Sequence, residues 1–157
     1  RLDLCFVADP ASAIADCLSQ IDPLLVAVTV RNTDDVYLAS QDFFIPRLKE
    51  ITDLIKGLTP ALIVLGGAGF SVAPEAILGF CGLEWGIWGE GEAALVELAK
   101  RLSQGDAFED IAGLVYRDGP HFRRNSPQFL PLDQASAPQR GFVELGRYFQ
   151  EGGQGNI

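Results

Sequence analysis

The chain has almost no histidine: His121 stands alone, so Ser-His-Asp catalysis and histidine-rich metal chemistry have no material to work with. Cysteine is scarce as well. Cys5, Cys17 and Cys81 are odd in number and far apart, which suits neither a disulfide framework nor the paired thiolates of a zinc or iron–sulfur site. Buried, reduced thiols are the expectation. Basic residues are outnumbered: 12 Lys and Arg face 21 Asp and Glu, a formal charge of -9 that would repel nucleic acid or an acidic membrane face. No apolar run approaches the ~20 residues of a membrane span, and Arg1-Leu2-Asp3-Leu4 lacks the layout of a secretory signal. A soluble, cytoplasmic protein without a membrane span or nucleic-acid partner is expected. At 157 residues, one hydrophobic core is the starting assumption.

What is present is a regular alternation. Leu2–Val7 is a short apolar run stopped by Asp9-Pro10, and Ile14, Leu18 and Ile21 follow at helical spacing, which reads as strand then helix. Leu24–Val30 is almost wholly apolar, as a strand covered on both faces should be. Ile45, Leu48, Ile51, Leu54, Ile55 and Leu58 form one helical stripe, ended by Gly57 and Pro60. Ala61–Leu65 is the next strand, followed by a helix over Pro74–Phe80, a strand around Trp85–Trp88 and a helix over Ala93–Leu102. Such alternation predicts an α/β fold with an open, doubly wound parallel sheet of flavodoxin-like or Rossmann-like type. About five strands are normal for that fold, one more than this part of the chain supplies, so a first strand upstream of Arg1 is expected.

Beyond Gly105, Gly113–Arg117 and Phe122–Arg124 flank the turn signal Asp118-Gly119-Pro120, predicting a small β-hairpin appended to the α/β unit. Residues 127–157 carry Pro127, Pro131, Pro138 and a glycine-rich tail, the composition of a linker. The expected division is therefore 1–105 for the α/β domain, 106–126 for the hairpin and 127–157 for the linker.

In an open parallel sheet the ligand crevice lies beyond the carboxyl ends of the strands. The residues there are Asp9, Thr29 to Asp35, Gly66 to Ser71 and Gly89 to Glu92. Gly66-Gly67-Ala68-Gly69 would let backbone approach a flat or phosphate-bearing ligand, or would simply make a tight turn. It is neither the dinucleotide fingerprint nor a P-loop. Gly89-Glu90-Gly91-Glu92 puts backbone N–H groups and two carboxylates at one helix start, for a hydroxyl-rich ligand or for plain capping. Arg31-Asn32-Thr33-Asp34-Asp35 could grip the amide-bearing rim of a large ligand, or be an ordinary surface loop. Trp85, Trp88 and Phe80 read as core or edge residues, whereas Phe70, next to the glycine turn, is a candidate contact.

In order, Val28-Thr29-Val30-Arg31-Asn32, Leu65-Gly66-Gly67-Ala68-Gly69-Phe70-Ser71 and Gly86-Ile87-Trp88-Gly89-Glu90-Gly91-Glu92 resemble the N-terminal domain of cobalamin-dependent radical S-adenosylmethionine (SAM) proteins. The hairpin and Tyr148–Ile157, which is similar to the approach to a cluster-binding loop, extend the likeness over essentially the whole chain. The resemblance implies a cobalamin-binding domain whose parent performs methyl transfer of the class B type, or chemistry like that of the anaerobic magnesium-protoporphyrin monomethyl ester cyclase. It implies that Thr29, Gly66 and Gly67 face the cobalamin nucleotide tail, that Gly89, Glu90 and Gly91 approach the same tail, and that Arg31 and Asn32 are rim contacts; Gly69 and Phe70 complete the candidate set.

The family's Cys-x3-Cys-x2-Cys loop, which holds a 4Fe-4S cluster for SAM, has no counterpart here, so cluster and SAM are expected only in a radical SAM domain downstream, the natural partner. The Asp-x-His-x-x-Gly motif that ligates cobalt is also missing, so cobalt is expected to bind no protein histidine. A chain lacking an upstream strand could pair its open sheet edge with a second copy. Two other readings stay open: a cofactor-free flavodoxin-like regulatory module, and a nucleotide-binding enzyme domain with phosphate at Gly66-Gly67.

Overall fold

In the computed structural model, the described residues are 2–35, 39–40, 42–129, 131 and 146. Past Phe129 the expected linker, including Tyr148–Ile157, falls almost wholly outside them. Five strands form one sheet in sequence order: β1 (Leu25–Thr29), β2 (Leu62–Gly66), β3 (Trp85–Ile87), β4 (Leu114–Asp118) and β5 (His121–Arg124). The helices are α1 (Pro10–Ser19), α2 (Ile45–Leu58), α3 (Ala68–Val72), α4 (Pro74–Cys81) and α5 (Glu92–Gln104). β1, β2 and β3 are parallel. β4 then pairs antiparallel with β3, and β5 with β4.

Alternation along the strands sorts the core into two layers. On one face Ile63 and Leu65 of β2 meet Ile14 of α1, Ile45, Leu48 and Ile55 of α2, and Ile77, Leu78 and Cys81 of α4. On the other, Val64, Ile87 and Leu114 meet Ala94 and Leu98 of α5. Helices thus cover both faces of a mainly parallel α/β sheet, but strand order runs in sequence without the reversal typical of doubly wound folds. The hairpin expected as an appendage continues the sheet, through the pairs Trp85 with Tyr116 and Ile87 with Leu114.

Leu2–Val7, expected as a strand, is a turn. The Val7 N–H donates to the Leu4 carbonyl at 3.4 Å, and the Asp3 carboxylate accepts from the Cys5 N–H at 3.0 Å. An apolar run becomes a strand only beside a ladder partner, and here Leu4 merely packs on the core. Asp9, expected near a ligand crevice, caps α1 instead: its carboxylate accepts from the N–H groups of Ala11 and Ser12, and the Ser12 hydroxyl holds its carboxyl below the usual range. Of the three thiols expected to be buried, only Cys81 is, and burial raises its pKa; Cys5 is exposed and Cys17 intermediate.

Phe70, on α3, anchors the first core layer with no exposed surface. Its ring occupies the space over Gly86 of β3, where an added Cβ would come within 2.2 Å of Cζ. The aromatic side chain and the missing one are therefore a matched pair. Phe70→Ala should lower stability in urea denaturation by about 3–5 kcal/mol, and Gly86→Ala by about 1–3 kcal/mol through overpacking.

Candidate functional site

The α5 face of the sheet is only partly covered. Ala27 and Thr29 of β1, which pair with Val64 and Gly66, remain exposed on the side where β2 and β3 are roofed by α5. The opening is a trough of about 440 Å³ lined by Ala27, Thr29, Val64, Gly66, Ile87 and Leu95, with the turns at Gly67 and Gly89–Glu92 at its rim. Its floor runs over Ala27, Thr29, Val64, Gly66 and Ile87 of the sheet, and its wall is the first turn of α5 with Leu95. The volume suits a nucleotide-sized arm rather than a whole tetrapyrrole-like ring.

The structure brings Thr29, Gly66, Gly67, Gly89, Glu90 and Gly91 together along this trough. Arg31 and Asn32 are exposed beyond the end of β1 and do not line it. Their loop folds back on itself, with the Phe44 N–H donating to Thr33 O at 2.8 Å and the Asp35 N–H to Asp42 O at 3.1 Å. Gly69 is buried where the backbone of Asn32 lies within 2.8 Å of any added Cβ, so it serves close packing of that loop on α3. Phe70, a candidate contact by its position after the glycines, points into the core instead. A glycine turn tells where backbone can approach, not which way the next side chain faces.

The rim glycines differ in why they are glycine. Gly67 has φ +98°, and a Cβ there would come within 2.6 Å of Val30 O. Gly89 has φ +80° and is backed by Pro127, 3.0 Å from an added Cβ. Both are required by the backbone. Gly66 is not: its φ is ordinary and an added Cβ would meet only Ile87 O at 3.5 Å. By strand alternation that Cβ would share the face of Val64, which is the trough. Gly91 is also unstrained, at φ -98° as the N-cap of α5.

The Gly89 turn is braced from behind. Trp88 Nε1 donates to Asn125 O at 2.8 Å, the Gly113 N–H donates to Ser126 O at 3.1 Å, and the Asn125 amide donates to Glu109 O and Ile111 O, both at 2.7 Å. Among the described residues no Lys, Arg or His lines the trough, whereas Glu90 and Glu92 do. Free phosphate groups would meet carboxylates at the start of α5, which disfavours a nucleotide site. His121 lies exposed on β5. Among the described residues no group of three His, Cys, Asp or Glu could hold a metal, and no helix is long and apolar enough to cross a membrane. Sequence reasoning missed the lining residues Ala27, Val64, Ile87 and Leu95, although the period of two in β1 and β2 would have found the first two.

With this half-roofed α/β sheet and its glycine turns, the chain matches the cobalamin-binding region of cobalamin-dependent radical SAM enzymes in sequence and fold. It is 38% identical over 141 residues to tryptophan 2-C-methyltransferase from Streptomyces laurentii, covering 87% of this chain and 23% of that protein. The radical SAM methyltransferase TsrM from Kitasatospora setae, solved with cobalamin and a [4Fe-4S] cluster bound, aligns at TM-score 0.76 and 37% identity over 87% of this chain and 24% of its own. The cobalamin-dependent radical SAM enzyme OxsB, solved with aqua-cobalamin and SAM, shares the fold at TM-score 0.65 and 20% identity over 82% of this chain and 17% of its own. The chain thus spans about a quarter of the length of its curated relative. No protein-family model matches it.

The two kinds of glycine should separate on substitution. Gly67→Ala should cost about 1–3 kcal/mol for left-handed strain, whereas Gly66→Ala should stay within about 1 kcal/mol of the parent in the same thermal or urea unfolding measurement.

Proposed function

We propose that this chain binds cobalamin, seating the nucleotide-bearing arm of the cofactor in the trough. The observation that carries the reading is the convergence of Thr29, Gly66, Gly67, Gly89, Glu90 and Gly91 on one opening whose floor a Cβ at Gly66 would fill. The residues suit the group. Small side chains leave depth for a flat heterocycle, Thr29 brings a hydroxyl to the floor, and the two turns bring backbone amides to the rim. Identity above 35% to an enzyme solved with cobalamin bound supports the assignment.

Cobalamin, when bound, would supply a cobalt centre able to carry a methyl group. The work of this chain is to hold and orient it: Ala27, Val64 and Leu95 exclude water from the arm, and Glu90 accepts hydrogen bonds from its hydroxyl or amide groups. Cobalt would receive no histidine from the chain, because His121 is on the outer strand of the hairpin. The cluster and SAM would belong to a radical SAM domain of the parent protein. Methyl transfer, named for the curated relative, is the parent activity we favour over cyclisation.

Titration with hydroxocobalamin, followed by its visible spectrum and by retention through gel filtration, tests the proposal. Near-stoichiometric uptake is expected, with Gly66→Ala weakening it roughly tenfold or more, equivalent to about 1.4 kcal/mol. His121→Ala should leave both affinity and spectrum unchanged. Absence of uptake by the folded chain would sink the reading in favour of a cofactor-free module, and preferential binding of a nucleotide would favour the phosphate site.

A further inference from the structure

Two glycine turns flank the trough, one after β2 and one after β3, and they are 22 positions apart in sequence by their numbers, Gly67 and Gly89. One side chain touches both. Ser71, on α3, donates its hydroxyl to Gly67 O at 3.0 Å and accepts the Gly89 N–H at 3.0 Å. The first bond is the ordinary back-bond of a helical serine to the carbonyl four residues earlier. The second is not local, and nothing in helix chemistry demands it.

The position of the donor, the Gly89 N–H, explains why it matters. The β3–β4 region closes with the Trp88 N–H donating to Gly113 O at 3.0 Å, so the Gly89 N–H is the next donor along the chain and has left the ladder. On its other side the turn rests on Pro127, which offers van der Waals contact but no acceptor within its ring. The Ser71 hydroxyl therefore fixes where the Gly89 turn sits relative to the Gly67 turn.

We propose that Ser71 is a positioning residue that joins the two rims of the trough into one preorganised edge. It does not line the opening; it acts through Gly67 and Gly89. Without the bridge the Gly89–Glu92 turn samples other placements, and a ligand must order it on binding, which lowers affinity. The effect on ligand rests on the cobalamin reading, whereas the bridge itself does not.

The test compares Ser71→Ala, which removes the hydroxyl, with Ser71→Thr, which keeps it and retains the back-bonding geometry. In the unliganded chain, amide hydrogen exchange read by NMR should show Gly89 exchanging about fivefold faster in Ser71→Ala, with Thr at the wild-type rate and the core amide of Leu98 unchanged in both. Hydroxocobalamin affinity should fall about fivefold in Ser71→Ala and return with Thr. Unchanged Gly89 exchange in Ser71→Ala overturns the bridge, as does a Thr variant no better than Ala. Faster exchange with undiminished cobalamin affinity overturns the positioning role. Should Ser71→Ala fail to fold, Ser71→Cys, a weak donor and acceptor, gives the same comparison with Thr. If the wild-type chain takes up no cobalamin, the cobalamin reading fails while the exchange data still decide the bridge.

Discussion

Among the described residues, a single helix lies over a sheet face that is too broad for it. Five strands at about 4.8 Å spacing span roughly 19 Å, and a helix with its side chains covers about 10–12 Å. α5 spends its cover on β2, β3 and β4, through Val64, Ile87 and Leu114 against Ala94 and Leu98. Left uncovered is the underside of β1, where Ala27 and Thr29 are exposed, along with most of β5 at the opposite edge. On the opposite face three helices, α1, α2 and α4, leave no such gap, since α2 touches both of the others. The asymmetry of helical cover, rather than a reversal of strand order, creates the trough.

That geometry sets different demands on residues that look alike in sequence. Gly67 and Gly89 are glycine because the chain turns there with positive φ against Val30 O and Pro127. Gly86 is glycine because the Phe70 ring fills its side-chain space. Gly66 answers to none of these constraints, and its freedom is the feature of the rim that fold stability does not explain. A residue kept small without a backbone reason, beside an uncovered part of the sheet, is where the proposed ligand's shape would enter the sequence.

The alternation of strands and helices was legible because each element buries a long periodic stripe: Ile45, Leu48 and Ile55 of α2 and the run of β1 were placed within a residue or two. Leu2–Val7 misled because hydrophobicity implies burial but not a ladder partner, and the turn at Asp3–Val7 satisfies its backbone locally. α3 went unseen because its five residues, AGFSV, are too few to show a helical period. The hairpin was recognised from its turn, but its docking on β3 depends on pairs such as Gly86 with Val115, which no local signal encodes. At the site, the turn positions were readable from strand ends, whereas the inward aim of Phe70 and the reach of Ser71 to Gly89 depend on tertiary placement.

Charge completes the specificity. The chain carries -9 overall, and among the described residues that line the trough the charged ones are Glu90 and Glu92. A ligand held mainly by free phosphate would need Lys or Arg there, or an acid-free helix start. Only a large ligand whose charge is low for its size, and whose surface is rich in amides and hydroxyls, gains from backbone turns and carboxylate acceptors together. Corrinoids have that surface, since their ring is fringed with amides and their arm carries a single phosphodiester on a heterocycle. On the proposed reading, the same acidic rim that would turn away nucleoside polyphosphates would cost little against cobalamin, and the site would discriminate by what it repels as well as by what it fits.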